Sequence, residues 1–252
     1  MKQILLSLFL VLSLSAYSAH HEEGEVKNQF QLLSTYEIAA GQNPQDLAEE
    51  LMEMQKNQES YGYNNCGVYR HQFGAMRGFY TYCNFDDMKQ FAAVMKKSIA
   101  AQSSDPSPVQ SYASHSDNIV AVLERNLTEA PNYILNSEYN FGPYLTANEQ
   151  LDRANKLYDV YKEGFGACNL TQHRYGPEYS FYIVCGFDDF DDFAEKSAKT
   201  DSIYEKSLMD EKLDIKVHSD NMLIKNMIVA AAPLLDPLFI TNMVWKLSWS
   251  TF

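Results

Sequence analysis

The chain has 252 residues, of which 46% are hydrophobic and 21% charged, a composition typical of a folded globular protein with a substantial core. Its formal net charge of -13 repels phosphate backbones and anionic lipid surfaces. Composition and charge therefore exclude non-specific nucleic-acid binding and docking on anionic membranes from the expected functions.

Residues 1–18 have the pattern of a secretory signal peptide. Lys2 precedes an apolar run over residues 4–14, and Ala16-Tyr17-Ser18 has the small residues that a signal peptidase reads. The run is too short for a good transmembrane span. We therefore predict cleavage after Ser18 or Ala19, and a mature protein that is periplasmic or extracellular and has no membrane anchor.

The mature chain contains a tandem duplication. Three sequence blocks recur in the same order: 66–74 as 168–176, 79–87 as 181–189, and 115–118 as 218–221. Repeated blocks at one offset indicate repeated structural units. We assign residues 19–127 to a first α+β repeat, 128–228 to a second, and 229–252 to a C-terminal extension.

Both repeats have the same predicted order of elements, β-α-β-β-α-β. Aromatic and β-branched runs predict strands over 30–40, 66–73, 77–84 and 116–123 of the first repeat. Helical spacing of apolar residues and capping residues predict helices over 45–58 and from 86 or 87 to about 101, and over 147–161 and 189–206 of the second repeat. This order is that of the ferredoxin-like, or split βαβ, arrangement.

Four cysteines are consistent with an oxidising compartment. If Cys66 pairs with Cys83 across the two middle strands, a two-residue turn remains, as a tight hairpin prefers. Directly opposed residues of an antiparallel pair are within disulfide reach. The same rule pairs Cys168 with Cys185. We predict one cross-strand disulfide per repeat, and no metal site, because a four-cysteine site needs a different spacing.

Alternation along the strands separates two sheet faces. The cysteine face is mostly apolar and is assigned to the side under the helices; it carries Val68, Phe79, Thr81, Leu170, Phe181 and Ile183. The opposite face carries the candidate ligand-binding residues, which are His71, His173, Tyr69, Tyr80, Tyr82, Tyr175 and Tyr182. Tyrosines can stack on flat ligands, and an imidazole can act as a base or metal ligand. The alternative is that each histidine is only a hydrogen-bonded residue of the sheet.

This arrangement resembles the dimeric α+β barrel superfamily. The resemblance implies two ferredoxin-like units with their helix-free faces together around a ligand cavity. Here it implies an α+β fold of two tandem ferredoxin-like βαββαβ repeats, packed sheet to sheet as an internal pseudo-dimer within a monomer. The superfamily includes cofactor-independent oxygenases, isomerases, haem-dependent enzymes and proteins without known chemistry, so the resemblance assigns no catalytic residue.

Three functions remain open. The leading one is non-catalytic binding of a small, partly aromatic or apolar molecule between the repeats. The second is an oxygenase-like enzyme, cofactor-free or haem-dependent, that uses His71 or His173. The third is a scaffold whose inner face is fully packed. The sequence identifies neither a cofactor nor a substrate.

Three smaller motifs have structural interpretations. His115 and His218 are expected at the start of the last strand of each repeat, followed by residues that form turn hydrogen bonds. Phe85-Asp-Asp and Phe187-Asp-Asp are expected to cap helices. Asn126 and Asn169 begin glycosylation sequons, which matter only in a eukaryotic secretory pathway.

Overall fold

The structure is a computed structural model that describes residues 28–74, 78–104, 112–127, 129–177 and 179–225. The predicted signal peptide and C-terminal extension lie outside these residues. The first repeat contains β1 (Phe30–Ile38), α1 (Pro44–Tyr61), β2 (Asn65–Phe73), β3 (Gly78–Phe85), α2 (Met88–Ser104) and β4 (Tyr112–Arg125). The second contains β5 (Tyr133–Phe141), α3 (Ala147–Phe165), β6 (Cys168–Tyr175), β7 (Phe181–Phe187), α4 (Phe190–Ser207) and β8 (Ile215–Lys225). The predicted element order is therefore confirmed in both repeats.

The eight strands form one closed antiparallel barrel with the order β1-β3-β2-β8-β5-β7-β6-β4. The predicted fold class, two ferredoxin-like sheets packed face to face, is wrong. The edge strands of the repeats pair instead, β2 with β8 and β4 with β6. Two open sheets would leave edge N–H and C=O groups unpaired, and closure satisfies them within the chain.

Both predicted disulfides are present, Cys66–Cys83 and Cys168–Cys185. The cysteines of each pair lie directly opposite each other in the β2–β3 and β6–β7 ladders. The register deduced from the cysteine positions is therefore found in both middle hairpins.

The hydrophobic core lies between the outer surface of the barrel and the helices. Phe79 of β3 packs with Leu47 and Leu51 of α1, and Leu170 of β6 packs with Leu157 of α3. All five side chains are buried, which confirms that the cysteine face lies under the helices. Among the described residues, no helix combines the length and apolar character needed to cross a membrane.

The Phe-Asp-Asp motifs cap helices, as predicted. The second aspartate of each motif accepts hydrogen bonds from the backbone N–H groups two and three residues later, at 2.8 Å for Asp87 and 2.9 Å for Asp189. These bonds satisfy N–H groups that have no partner within the helix.

The two His-Ser-Asp-Asn blocks lie inside β4 and β8, so the expected turn at the start of these strands is wrong. Their outward histidines stack on tyrosines of the neighbouring strand: His115 lies 5.7 Å from Tyr36 and His218 lies 4.4 Å from Tyr139, between ring centroids. The stacking and the strand ladder replace the turn hydrogen bonds that we expected.

The same blocks close the two seams between the repeats. A Cβ atom on Gly74 would lie 2.4 Å from the carbonyl oxygen of Asp220 and 2.5 Å from Oδ1 of Asn221. At the other seam, a Cβ atom on Gly176 would lie 2.3 Å from Oδ1 of Asn118. Each block therefore packs so closely against a glycine of the opposite repeat that a side chain at the glycine position would clash with it.

Candidate functional site

The barrel encloses a cavity of about 290 Å³. It is lined by residues from all eight strands and from the linker between the repeats, which is the segment between β4 and β5 described at residues 126–127 and 129–132. Small-molecule pockets in proteins are roughly 300–1,000 Å³, so this cavity suits a small ligand. The inward-facing residues of both repeats contribute to one shared wall.

The structure brings four of the predicted residues into this wall, namely Tyr69, Tyr80, Tyr82 and Tyr182. It does not place His71, His173 or Tyr175 among the lining residues. Whether any of the seven binds a ligand stays a prediction.

The two histidines lie at the seams between the repeats. His71 pairs with Leu223 of β8, next to a bulge in β2, and its Nε2 is buried without a hydrogen-bond partner among the described residues. His173 pairs with Val120 of β4, and its Nε2 lies 3.2 Å from the carbonyl oxygen of Gly176. Strand alternation places both histidines on the face opposite the cysteines, as predicted. They lie beyond the part of that face that borders the cavity.

The first repeat gives the cavity an aromatic side. The rings of Tyr69 and Tyr82 lie 6.1 Å apart, and the Tyr69 hydroxyl donates a 2.8 Å hydrogen bond to the carbonyl oxygen of Pro131 in the linker. Burial raises the pKa of both phenols. Both side chains are therefore neutral flat surfaces with a hydroxyl group.

The second repeat gives the cavity a polar side, formed by Asn136, Glu138 and Thr171. Thr171 is 2% exposed, and neither its Oγ1 nor the Oδ1 of Asn136 has a hydrogen-bond partner among the described residues. Glu138 accepts hydrogen bonds from the hydroxyls of Ser180 and Ser219. Our site prediction missed Asn136 and Glu138, although their alternation with the buried Leu135, Ser137 and Tyr139 places them on the inner face of β5.

Arg125 and the linker border the cavity at one end of the barrel. Arg125 donates hydrogen bonds to the carbonyl oxygen of Asn28 at 2.9 Å and to Oδ1 of Asn84 at 3.4 Å. Burial lowers the pKa of its guanidinium, an effect that Tyr82 partly opposes. The cavity thus has a cationic group at this end.

Asn169 holds the linker in place. Its Oδ1 accepts the backbone N–H groups of Asn126 and Leu127 at 2.8 and 2.9 Å, and its side chain lines the cavity. The Asn169 sequon is therefore part of the barrel wall. Asn126 is exposed.

Haem, one of the cofactors that the resemblance implies, would find only tyrosines as protein ligands among the described residues of this wall. Haem iron takes His, Cys, Met or Tyr as its protein ligand. The lining residues that the structure describes include no His, Cys or Met. Of the four lining tyrosines, Tyr69 and Tyr82 have pKa values raised by burial, which disfavours the phenolate that iron would need. The described parts of the chain also contain no cluster of three or more His, Cys, Asp or Glu that could hold a metal ion.

The sequence matches no protein-family model, and it matches no curated protein. Among solved structures, it is similar to a protein from Lactobacillus acidophilus NCFM described as a candidate monooxygenase, with a TM-score of 0.51 and 8% identity over 79% of this chain and 94% of that chain. An anthrone oxidase-like protein aligns with a TM-score of 0.47 and 10% identity over 79% of this chain and 92% of that chain. A heme-binding protein from Thermus thermophilus aligns with a TM-score of 0.40 and 11% identity over the same shares. The first likeness shows a shared fold.

Proposed function

We propose that this protein is an exported binding protein that holds one small, partly aromatic molecule inside its barrel. The observation that supports this most directly is the cavity itself, with tyrosine rings on one side and buried polar atoms without partners on the other. Aromatic walls with a few placed polar groups are typical of ligand sites.

The unpartnered atoms argue against a fully packed scaffold. A buried polar atom without a hydrogen bond costs about 1–3 kcal/mol. Two such atoms, Oγ1 of Thr171 and Oδ1 of Asn136, belong to residues that line one cavity. A ligand that bonds to them would recover this free energy, whereas an empty scaffold would not.

Export is part of the proposal. Two disulfides suit an oxidising compartment outside the cytosol, and the first 18 residues have the pattern of a cleaved signal. A binding protein in such a compartment would meet its ligand at the cell surface or in the medium.

An oxygenase-like enzyme that uses His71 or His173 is the second candidate. The buried, unpartnered Nε2 of His71 favours it, because a buried polar atom without a hydrogen bond calls for an explanation such as a catalytic role. Neither histidine lines the cavity, so a ligand would have to extend beyond the present wall to meet one. His71→Gln and His173→Gln would abolish turnover if this candidate is correct and would leave binding unchanged if it is not.

The test is native mass spectrometry of the mature protein from an exporting host, followed by titration with indole. Val184→Tyr fills the cavity with the residue that the first repeat has at this position, Tyr82, and Val217→Tyr is a control because Val217 is exposed. We expect the wild type and Val217→Tyr to carry a co-purified small molecule or to bind indole saturably. Val184→Tyr should show neither. Indole binding that is absent, or that Val184→Tyr leaves intact, would contradict the proposal.

A further inference from the structure

We infer that the ligand carries an amine or hydroxyl donor on its aromatic body, and that the second repeat recognises this donor through Glu138. The inference rests on the proposed function and adds the chemical class and the orientation of the ligand.

The first argument is the difference between equivalent positions of the two repeats. Leu32 lies opposite Cys83 in the first repeat, as Leu135 lies opposite Cys185 in the second, which fixes the equivalence. On the inner face, the equivalent lining pairs that differ include Leu33 and Asn136, Thr35 and Glu138, Tyr69 and Thr171, and Tyr82 and Val184, as well as Gln31 and Ile134. Tyr80 and Tyr182 are the same residue in both repeats. The second repeat therefore has smaller side chains where the first has the rings of Tyr69 and Tyr82, and it has Glu138 where the first has Thr35, so a bound molecule would take one orientation.

The second argument is the hydrogen-bonding character of the polar half. An ionised carboxylate only accepts hydrogen bonds and has about four acceptor positions. Glu138 uses two of them for the hydroxyls of Ser180 and Ser219, so it can accept further donors. The unpartnered Oδ1 of Asn136, two residues earlier on the same strand face, adds another acceptor.

The third argument is geometric. Glu138, Tyr182 and Thr171 are in register across β5, β7 and β6. Neighbouring strands lie about 4.8 Å apart, so Glu138 and Thr171 stand about 10 Å from each other with Tyr182 between them. A ring on Tyr182 would thus place a short donor-bearing arm within reach of Glu138.

The charged residues that line the cavity also favour a ligand with a hydrogen-bond donor over a ligand with a carboxylate. The charged side chains among the described lining residues are Glu138, Glu129 and Arg125. Glu129 belongs to the exposed linker, and Arg125 is the last residue of β4, at the linker end of the barrel, where it donates hydrogen bonds to the backbone of Asn28 and to Asn84. Glu138, on the inner face of β5, is therefore the carboxylate that a ligand inside the barrel would meet, and a ligand carboxylate beside it would be repelled.

The experiment compares four molecules of similar size: benzylamine, benzyl alcohol, toluene and benzoate. Their dissociation constants are measured at pH 7 by ligand-observed NMR for the wild type, Glu138→Gln and the control Glu129→Gln, which removes a lining carboxylate of the linker. We expect benzylamine to bind best, benzyl alcohol next, and benzoate worst. Glu138→Gln should weaken benzylamine by about tenfold or more and benzyl alcohol by less, because hydrogen bonds to charged groups are the stronger ones. Glu129→Gln should change neither.

A second variant, Asn136→Leu, keeps the inference testable if Glu138→Gln fails to fold. It copies Leu33 of the first repeat and should reduce the preference for benzyl alcohol over toluene. Benzoate or toluene binding as tightly as benzylamine, or benzylamine binding that both variants leave unchanged, would overturn the inference while the proposed binding function stands. If none of the four molecules binds although indole does, the inference fails alone; if indole does not bind either, the binding function fails with it.

Discussion

The seam between β2 and β8 gives the most specific prediction about stability. Gly74 has φ +127°, and a Cβ atom there would lie 2.4 Å from the backbone oxygen of Asp220 in the opposite repeat. Gly74→Ala should therefore carry two penalties. The backbone conformation costs an alanine about 1–3 kcal/mol, and overpacking against a backbone atom costs roughly another 1–3 kcal/mol.

Gly41→Ala is the matched control. Gly41 also has a positive φ, +81°, but a Cβ atom there would have no neighbour within 4 Å. Gly41→Ala should lose only the free energy of unfolding that the backbone conformation costs an alanine, about 1–2 kcal/mol. For a folded unit of this size, each kcal/mol lowers Tm by about 2–4 °C, so Gly74→Ala should lower Tm by roughly 5–20 °C and Gly41→Ala by less than half as much.

The assay is thermal unfolding followed by circular dichroism, together with Gly176→Ala at the opposite seam. Gly176 has φ +128°, and its Cβ would meet Oδ1 of Asn118 at 2.3 Å. Both seam variants should be destabilised by similar amounts because the seams are equivalent. If Gly74→Ala and Gly41→Ala lower Tm equally, the seam contact has no energetic weight and the reasoning about barrel closure is refuted.

Three further predictions concern a disulfide, the pKa of a carboxyl group and a helix N-cap. Replacing both Cys66 and Cys83 by serine should cost about 3 kcal/mol in denaturant unfolding, because the disulfide joins residues 17 apart; an unchanged midpoint would contradict this. Burial raises the pKa of Asp220, but hydrogen bonds from His218 and Ser137 and the charge of His218 outweigh it, so the pKa is lowered overall. A lowered carboxyl pKa stabilises the fold above the unfolded value, and this stability is lost as the pH falls through the folded value. Tm should therefore fall less between pH 5 and pH 2 in Asp220→Asn than in the wild type. Asp189→Ala should cost about 1 kcal/mol, measured by urea unfolding, because two N–H groups of α4 lose their acceptor.

The features predicted from the sequence are those that local patterns determine. The cysteine spacing indicated the partners of both disulfides and the register of both hairpins, because the two cysteines of each pair lie on consecutive strands. Alternation placed Tyr69, Tyr80, Tyr82 and Tyr182 on the inner face, and all four line the cavity.

The features that were missed depend on contacts between the repeats. Pairing of β2 with β8 and of β4 with β6 joins segments far apart in sequence, and no local pattern records which edges meet. The His-Ser-Asp-Asn blocks resembled turns because Asp and Asn are common in turns, yet here Asn118 and Asn221 are buried strand residues at the seams. Bulges near His71 and His173 displace the ends of these strands, which alternation alone does not predict.

Comparison of the two faces of the barrel argues that its interior has a function of its own. On the helix side, equivalent positions keep similar residues: Ser34 and Ser137, Tyr36 and Tyr139, Val68 and Leu170, Phe79 and Phe181, Phe85 and Phe187. These positions form the core, and both copies must satisfy the same packing requirement. On the inner side, Tyr80 and Tyr182 are the same and so are Asn118 and Asn221, but Leu33 corresponds to Asn136, Tyr69 to Thr171 and Tyr82 to Val184. A barrel that needed only to fill its interior would gain nothing from polar atoms without partners, since packing favours apolar side chains there. The divergence of the inner face is therefore what a duplicated barrel would show if it recognised one asymmetric molecule.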